Sequence, residues 1–95
     1  MGLNFDGIEL QGPFSRLDQL EDQPGVVAIL CFKDNRFELL DVRTAKLVQT
    51  EVADILAEPS WSEVCGGKLR VAVFYTANEE ELLSVKQQVM WAKLF

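Results

Sequence analysis

Apolar residues form their longest unbroken run in the first third of the chain, from Val26 to Phe32. Residues 25–32 are rich in β-branched side chains and apolar at successive positions, which is typical of a strand buried on both faces. Residues 33–36 are polar, and Asp and Asn at their centre favour a tight turn. Residues 37–42 then fit a second strand. This stretch therefore predicts a β-hairpin whose first strand is central.

Helical periodicity follows directly after the hairpin. From Thr44, a helix-capping residue type, to about residue 58, apolar residues recur in one stripe at about 100° per residue. Pro59 ends this predicted helix. Residues 60–64 then predict a short helical turn, which Gly66 and Gly67 stop.

The sequence after Gly67 predicts one more strand and one more helix. Residues 69–76 have strand character. Asn78 is a helix-capping residue type, and the three glutamates after it suit the positive end of a helix dipole. Together the elements predict an α/β (α+β) domain with a three-stranded, mainly antiparallel sheet flanked by helices, in the order β-β-α-β-α. A right-handed crossover from the second strand to the third places the strand 25–32 between them.

The whole chain, residues 1–95, is predicted to be a single domain, because it contains no repeat, linker or low-complexity run. Residues 1–24 form an N-terminal lead-in, with a short strand at 7–11 and a helical turn at 16–21. Residues 25–95 form the core of the domain.

Acidic residues outnumber basic residues by 15 to 9, and the formal net charge is −6. A nucleic-acid-binding protein needs Lys and Arg to displace counterions from phosphates, so this charge disfavours tight DNA binding. It is typical of an acidic surface that keeps a protein soluble. A few basic residues lie close together in the sequence. If the protein contacts nucleic acid, the residues predicted to do so are Lys33, Arg36, Arg43 and Lys46.

Other features of the composition restrict location and chemistry. No apolar run approaches the ~20 residues of a membrane span, and the N-terminus lacks the basic and apolar regions of a secretory signal. We therefore predict a cytoplasmic protein without membrane contact, with Cys31 and Cys65 as reduced thiols. The chain has no His, which removes the commonest general base and most zinc sites.

Several segments resemble the small stand-alone members of the GIY-YIG nuclease family. They are the lead-in residues Gly12, Pro13, Phe14, Leu17 and Leu20, then PGVVAIL at 24–30, LLDVRTAK at 39–46 and VAVFYT at 71–76. The resemblance implies a GIY-YIG-like fold. It also implies the family's chemistry, the hydrolysis of a DNA phosphodiester, in which Tyr helps to activate the nucleophile, Arg stabilises the developing phosphate charge and Glu binds one divalent metal ion.

The resemblance places the family's functional positions on residues of different chemistry. These positions are Val27, Asp41, Arg43, Glu51 and Lys86. Glu51 stands where the family has Arg and would repel phosphate, while Lys86 stands where the family binds metal and would repel a cation. The resemblance thus implies a catalytically degenerate domain that acts as a binding or regulatory module, with no catalytic residue, metal or cofactor.

Two alternatives of other classes remain at this point. One is a divergent, active metal-dependent DNA endonuclease that uses Mg²⁺ and other side chains, such as Glu38, Asp41 and Tyr75. The other is a DNA-binding module that does not cleave.

Two further predictions concern the helices. In the last helix, Trp91 and Phe95 fall opposite a broad apolar face. That face is made by Leu82, Leu83, Val85, Val89, Met90 and Leu94. The position of Trp91 and Phe95 predicts that they bind a protein partner or a second copy of the chain. A hypothesis places Glu51 and Lys86 on the same face of the sheet, close enough to pair directly or through water, and the alternative is that the two side chains are separately solvated.

Overall fold

The structure is a computed structural model that describes residues 2–5 and 7–93, and the described chain is built on one antiparallel sheet. None of the helices in this part of the chain is both long and apolar enough to cross a membrane. The five strands, in the spatial order β1-β2-β5-β3-β4, are β1 (Gly2–Phe5), β2 (Ile8–Phe14), β3 (Gly25–Lys33), β4 (Arg36–Ala45) and β5 (Lys68–Tyr75). The helices are a 3-10 turn (Leu17–Gln19), α1 (Val48–Ala57), α2 (Ser60–Val64) and α3 (Glu79–Lys93).

The α+β class with an antiparallel sheet flanked by helices is confirmed. The central place of β3 is also confirmed, because β3 pairs with β4 on one side and with β5 on the other. The predicted three-stranded sheet is wrong, since β1 and β2 extend it from the β5 edge. The predicted element order, β-β-α-β-α, therefore lacks the two strands that come first.

The helical turn predicted at 16–21 contains the 3-10 turn, but the lead-in strand was predicted to end too early, because Gly12 and Pro13 are typical strand breakers. In the structure β2 runs through both residues, and its pairing with β5 shifts register between Gln11 and Phe14. Proline lacks the N–H that a ladder needs, and a register irregularity is a place where a sheet tolerates it.

The hairpin turn is confirmed, and the helix start after it is corrected. Asp34 and Asn35 both have positive φ, 54° and 63°, as a two-residue hairpin turn requires. Thr44 is not a helix cap, because it still pairs with Val26 in the sheet. The helix begins at Val48, whose N–H donates a 2.9 Å hydrogen bond to the carbonyl of Gln23.

The sheet separates two apolar cores, one on each face. Alternate residues of β3 point into the two cores. Val26, Ala28 and Leu30 face α3, whereas Val27 and Ile29 face α1. Each of the two helices buries one apolar stripe, which is why each can cover a face. The buried stripe of α1 is Val48, Val52 and Ile55, and that of α3 includes Val85 and Val89.

The α3 face of the sheet is concave. Helix α3 packs against the outer strands β1 and β4 as well as against β2 and β3. An open cleft of about 410 Å³ lies where Phe5 of β1, Phe37 of β4 and Ala92 of α3 approach one another. The sheet therefore curls around α3, while α1 lies on its outer side.

Cys31 and Cys65 are joined by a disulfide, with their Cα atoms 5.6 Å apart, so the prediction of two reduced thiols is wrong. The register of β3 and β5 explains the pairing. Phe32 lies opposite Lys68, and the turn at Gly66 and Gly67 returns the chain so that Cys65 reaches Cys31. A separation of 34 residues gave no local signal of this contact.

Gly67→Ala is expected to lower the free energy of unfolding by about 1–3 kcal/mol, measured by urea denaturation. A Cβ at this position would overlap the carbonyl oxygen of Phe32, which is backbone and has no room to move away. Gly66→Ala is the matched control, because its Cβ would meet only the flexible end of Lys33. Equal losses in the two variants would contradict this account of the turn.

Candidate functional site

The strand positions singled out by the nuclease resemblance lie together on the α1 face of the sheet. Val27 is fully buried there, and Arg43 is its partner across the β3–β4 ladder. Arg43 Nε donates to Asp41 Oδ2 at 3.0 Å, forming an ion pair whose side chains are 35% and 41% exposed. Asp41 Oδ1 also accepts the N–H of Val42. This pair is partly solvated, so it contributes only about 0–1 kcal/mol to stability.

Trp61 of α2 completes this cluster, and the sequence did not point to it. The Arg43 Cζ lies 5.6 Å from the centre of the Trp61 ring, within the range of a cation–π contact. Trp61 packs on the α1-face core, yet its indole N–H is buried and has no hydrogen-bond partner among the described residues. The available signal was a large aromatic residue in a helix of only five residues, and it does not show which residue Trp61 contacts.

Glu51 and Lys86 do not pair. Glu51 belongs to α1 and Lys86 to α3, and the two helices cover opposite faces of the sheet. The prediction of a shared face is therefore wrong. It rested on the resemblance, in which the two positions flank one active-site cleft, and the apolar stripe of a helix does not say which face of the sheet that helix will cover.

The alternative catalytic residues are also separated. Tyr75 lies opposite Gly25 at one end of β3, whereas Glu38 lies opposite Cys31 near the other end. Six residues of strand separate these positions, or about 20 Å. The Tyr75 hydroxyl accepts the N–H of Glu21 at 2.9 Å, so it ties the lead-in to β5.

The basic residues form no single patch. Lys33 and Arg36 are partners at the hairpin end of the β3–β4 ladder, while Lys46 follows the opposite end of β4. The ten-residue strand between them spans about 30 Å. Arg43 is held by Asp41 and Trp61 on the α1 face. In the described ranges no three Cys, Asp or Glu side chains meet as metal ligands.

The outer side of α3 exposes large apolar residues. Trp91 is 62% exposed, as predicted, while Phe95 and Leu94 lie outside the described residues. Leu83 and Met90 were predicted to share the inner face, but they are 58% and 48% exposed. Only the narrower stripe that includes Val85 and Val89 is buried. We call Leu83, Gln87, Met90 and Trp91 the outer face of α3.

Comparison with known proteins gives the chain no relative: no protein-family model matches it, and neither a curated protein nor a solved structure shows significant similarity.

Proposed function

We propose that this domain is a non-catalytic protein-binding module and that the outer face of α3 binds a second copy of the chain. The observation that carries the proposal is the exposure of Leu83, Met90 and Trp91 on one side of a helix whose other side is already buried in the core. Large exposed apolar side chains that lie together mark interaction surfaces, and Trp is the residue type most enriched among binding hot spots.

The pattern of the outer face suits pairing with itself. Leu83 and Met90 are two helical turns apart and so lie on the same side of α3, with Gln87 between them. Two antiparallel copies related by a two-fold axis near Gln87 would place Leu83 of each copy beside Met90 and Trp91 of the other. Such an isologous contact uses the same patch on both subunits. Leu83 also lines a cleft of about 510 Å³ with Leu82 and Ala77, which offers room beside the helix.

The resemblance to GIY-YIG nucleases supports the non-catalytic part of the proposal. Its functional positions hold Val27, Asp41, Arg43, Glu51 and Lys86 in this chain. The charges of Asp41 and Arg43 are paired with each other, and Val27 has no exposed surface. Incubation of the purified protein with supercoiled plasmid and Mg²⁺ or Mn²⁺ should leave the plasmid intact, and metal-dependent nicking would refute this part.

The mass in solution tests the binding surface. Light scattering over a concentration series should approach twice the 10.7 kDa of one chain. Leu83→Gln or Trp91→Ala should return the mass to that of one chain, because each removes apolar area from the centre of the contact.

Leu56→Gln is the matched control for this experiment. Leu56 is also an exposed leucine on a helix, but it lies on α1, on the opposite face of the sheet. Its substitution should leave the dimer unchanged. A wild-type protein that stays at the mass of one chain at every concentration would exclude self-association through α3.

A further inference from the structure

Two shielded side chains, Trp61 and Cys65, anchor the segment between α1 and β5, residues 58–67. Glu58, Ser60, Glu63 and Val64 are exposed, as are both glycines that follow, and Val64 is 64% exposed. Among the side chains described in this segment, only Trp61 and Cys65 are shielded from solvent. Few buried apolar contacts are the property that lets a segment open locally while the rest of a domain stays folded.

The two anchors are unequal. Trp61 packs on the α1-face core, but it leaves a buried indole N–H without a hydrogen-bond partner among the described residues. A buried donor without a partner has lost its hydration with no hydrogen bond in return, so part of what Trp61 gains by packing is lost. Cys65 is bonded covalently to Cys31 in the central strand. The disulfide is therefore the stronger of the two anchors.

Both anchors belong to the same helical turn. The N–H of Cys65 donates a 2.8 Å hydrogen bond to the carbonyl of Trp61. A bond that fixes Cys65 against β3 thus also fixes the position of Trp61 above Arg43. Release of Cys65 would leave Trp61 held only by its packing on the α1-face core and its contact with Arg43 among the contacts described.

We propose that the Cys31–Cys65 disulfide is a redox latch: its reduction releases residues 58–67, moves Trp61 into solvent and uncovers Arg43, while the sheet stays folded. The sheet does not depend on the segment, because β3 pairs with β4 and β5 over nearly its whole length. The α1-face core is formed mainly by Val27, Ile29 and the buried stripe of α1. This inference is independent of the proposed binding function.

The reaction is thiol–disulfide exchange with a cellular dithiol. A reductant thiolate attacks the sulfur of Cys65, forms a mixed disulfide and displaces Cys31 as a thiolate, which takes up a proton. The second thiol of the reductant then attacks the mixed disulfide and releases Cys65, so that two electrons and two protons pass to the protein and the reductant becomes a disulfide. Cys31 and Cys65 are 3% and 5% exposed, so the reductant reaches the bond when the segment opens locally. That opening presents Cys65 first, because the exposed residues Val64 and Gly66 flank it, whereas Cys31 lies in the central strand.

The fluorescence of Trp61 reports the latch directly. The chain contains two tryptophans, so Trp91→Phe leaves Trp61 as the single tryptophan. Reduction with dithiothreitol, followed by counting of free thiols, should shift its emission to longer wavelength while the far-ultraviolet circular dichroism of the sheet is retained. A protease specific for Glu should then cut after Glu63 faster than in the oxidised protein.

Cys65→Ala, combined with Trp91→Phe, tests the proposal without a reductant. This variant should show the red-shifted emission and the faster cleavage under oxidising conditions, and dithiothreitol should change neither. Three results would overturn the proposal: complete reduction without a change at Trp61, loss of the sheet signal together with the disulfide, or a disulfide that resists reduction in the folded protein. The last result would identify the bond as purely structural.

Discussion

A variant in which Cys31 and Cys65 are both replaced by alanine is expected to lose about 4 kcal/mol of its free energy of unfolding. The bond closes a loop of 34 residues. In the chain-entropy model such a cross-link restricts the unfolded chain by an amount between the ~3 kcal/mol of a 15-residue loop and the ~4.7 kcal/mol of a 100-residue loop. Small domains have about 5–15 kcal/mol in total, so the loss is a large fraction of the stability.

Urea denaturation of the variant and of the oxidised wild type measures this loss. The wild type measured in dithiothreitol should fall to the stability of the variant, and dithiothreitol should not change the variant itself. A difference below about 1 kcal/mol between oxidised and reduced wild type would contradict the entropic role of the bond. It would also mean that Cys31 and Cys65 contribute mainly as two small apolar side chains.

Leu10→Ala is expected to lower the free energy of unfolding by about 2–5 kcal/mol. Leu10 lies on β2, is fully buried and packs in the α3-face core with Val85 and Val89. Its truncation removes apolar contacts and leaves a cavity that the surrounding strands fill only in part. A loss of this size would show that the N-terminal hairpin is an integral part of the sheet.

Leu56→Ala is the matched control, because Leu56 is 40% exposed and its truncation should cost less than about 1 kcal/mol. Both variants are measured by urea denaturation with the slope compared to that of the wild type. If Leu10→Ala costs no more than Leu56→Ala, β2 is only loosely attached and the sheet is in effect three-stranded.

Local signals predicted the parts of the fold whose structure depends on a few neighbouring residues. The continuous apolar run of β3 identified the central strand, and Asp34 and Asn35 identified the turn after it. Asn78 identified the start of α3, where its side chain accepts the N–H of Glu81 at 3.0 Å. The exposure of Trp91 followed from helical periodicity alone. In each case the deciding interactions lie within one strand, one turn or one helix.

The candidate site was predictable only in part. The positions of Asp41 and Arg43 on one strand and one face follow from strand alternation once the register is known. The contact of Arg43 with Trp61 joins residues of β4 and α2 that no spacing relates. Leu83 and Met90 were placed on the wrong side of α3, because a helix with apolar residues around much of its circumference does not reveal which stripe the sheet will cover.

The sequence by itself determined that β3, β4 and β5 are strands, where β3 turns into β4 and where α3 begins. The tertiary structure alone decided that β1 and β2 extend the sheet, that Cys31 meets Cys65 and that Glu51 and Lys86 lie on opposite faces. The physical reason is the range of the interactions. Turns, caps and periodicity act over a few residues, whereas strand pairing, cysteine pairing and the choice of a face join residues far apart in the chain, and only the folded arrangement brings these together.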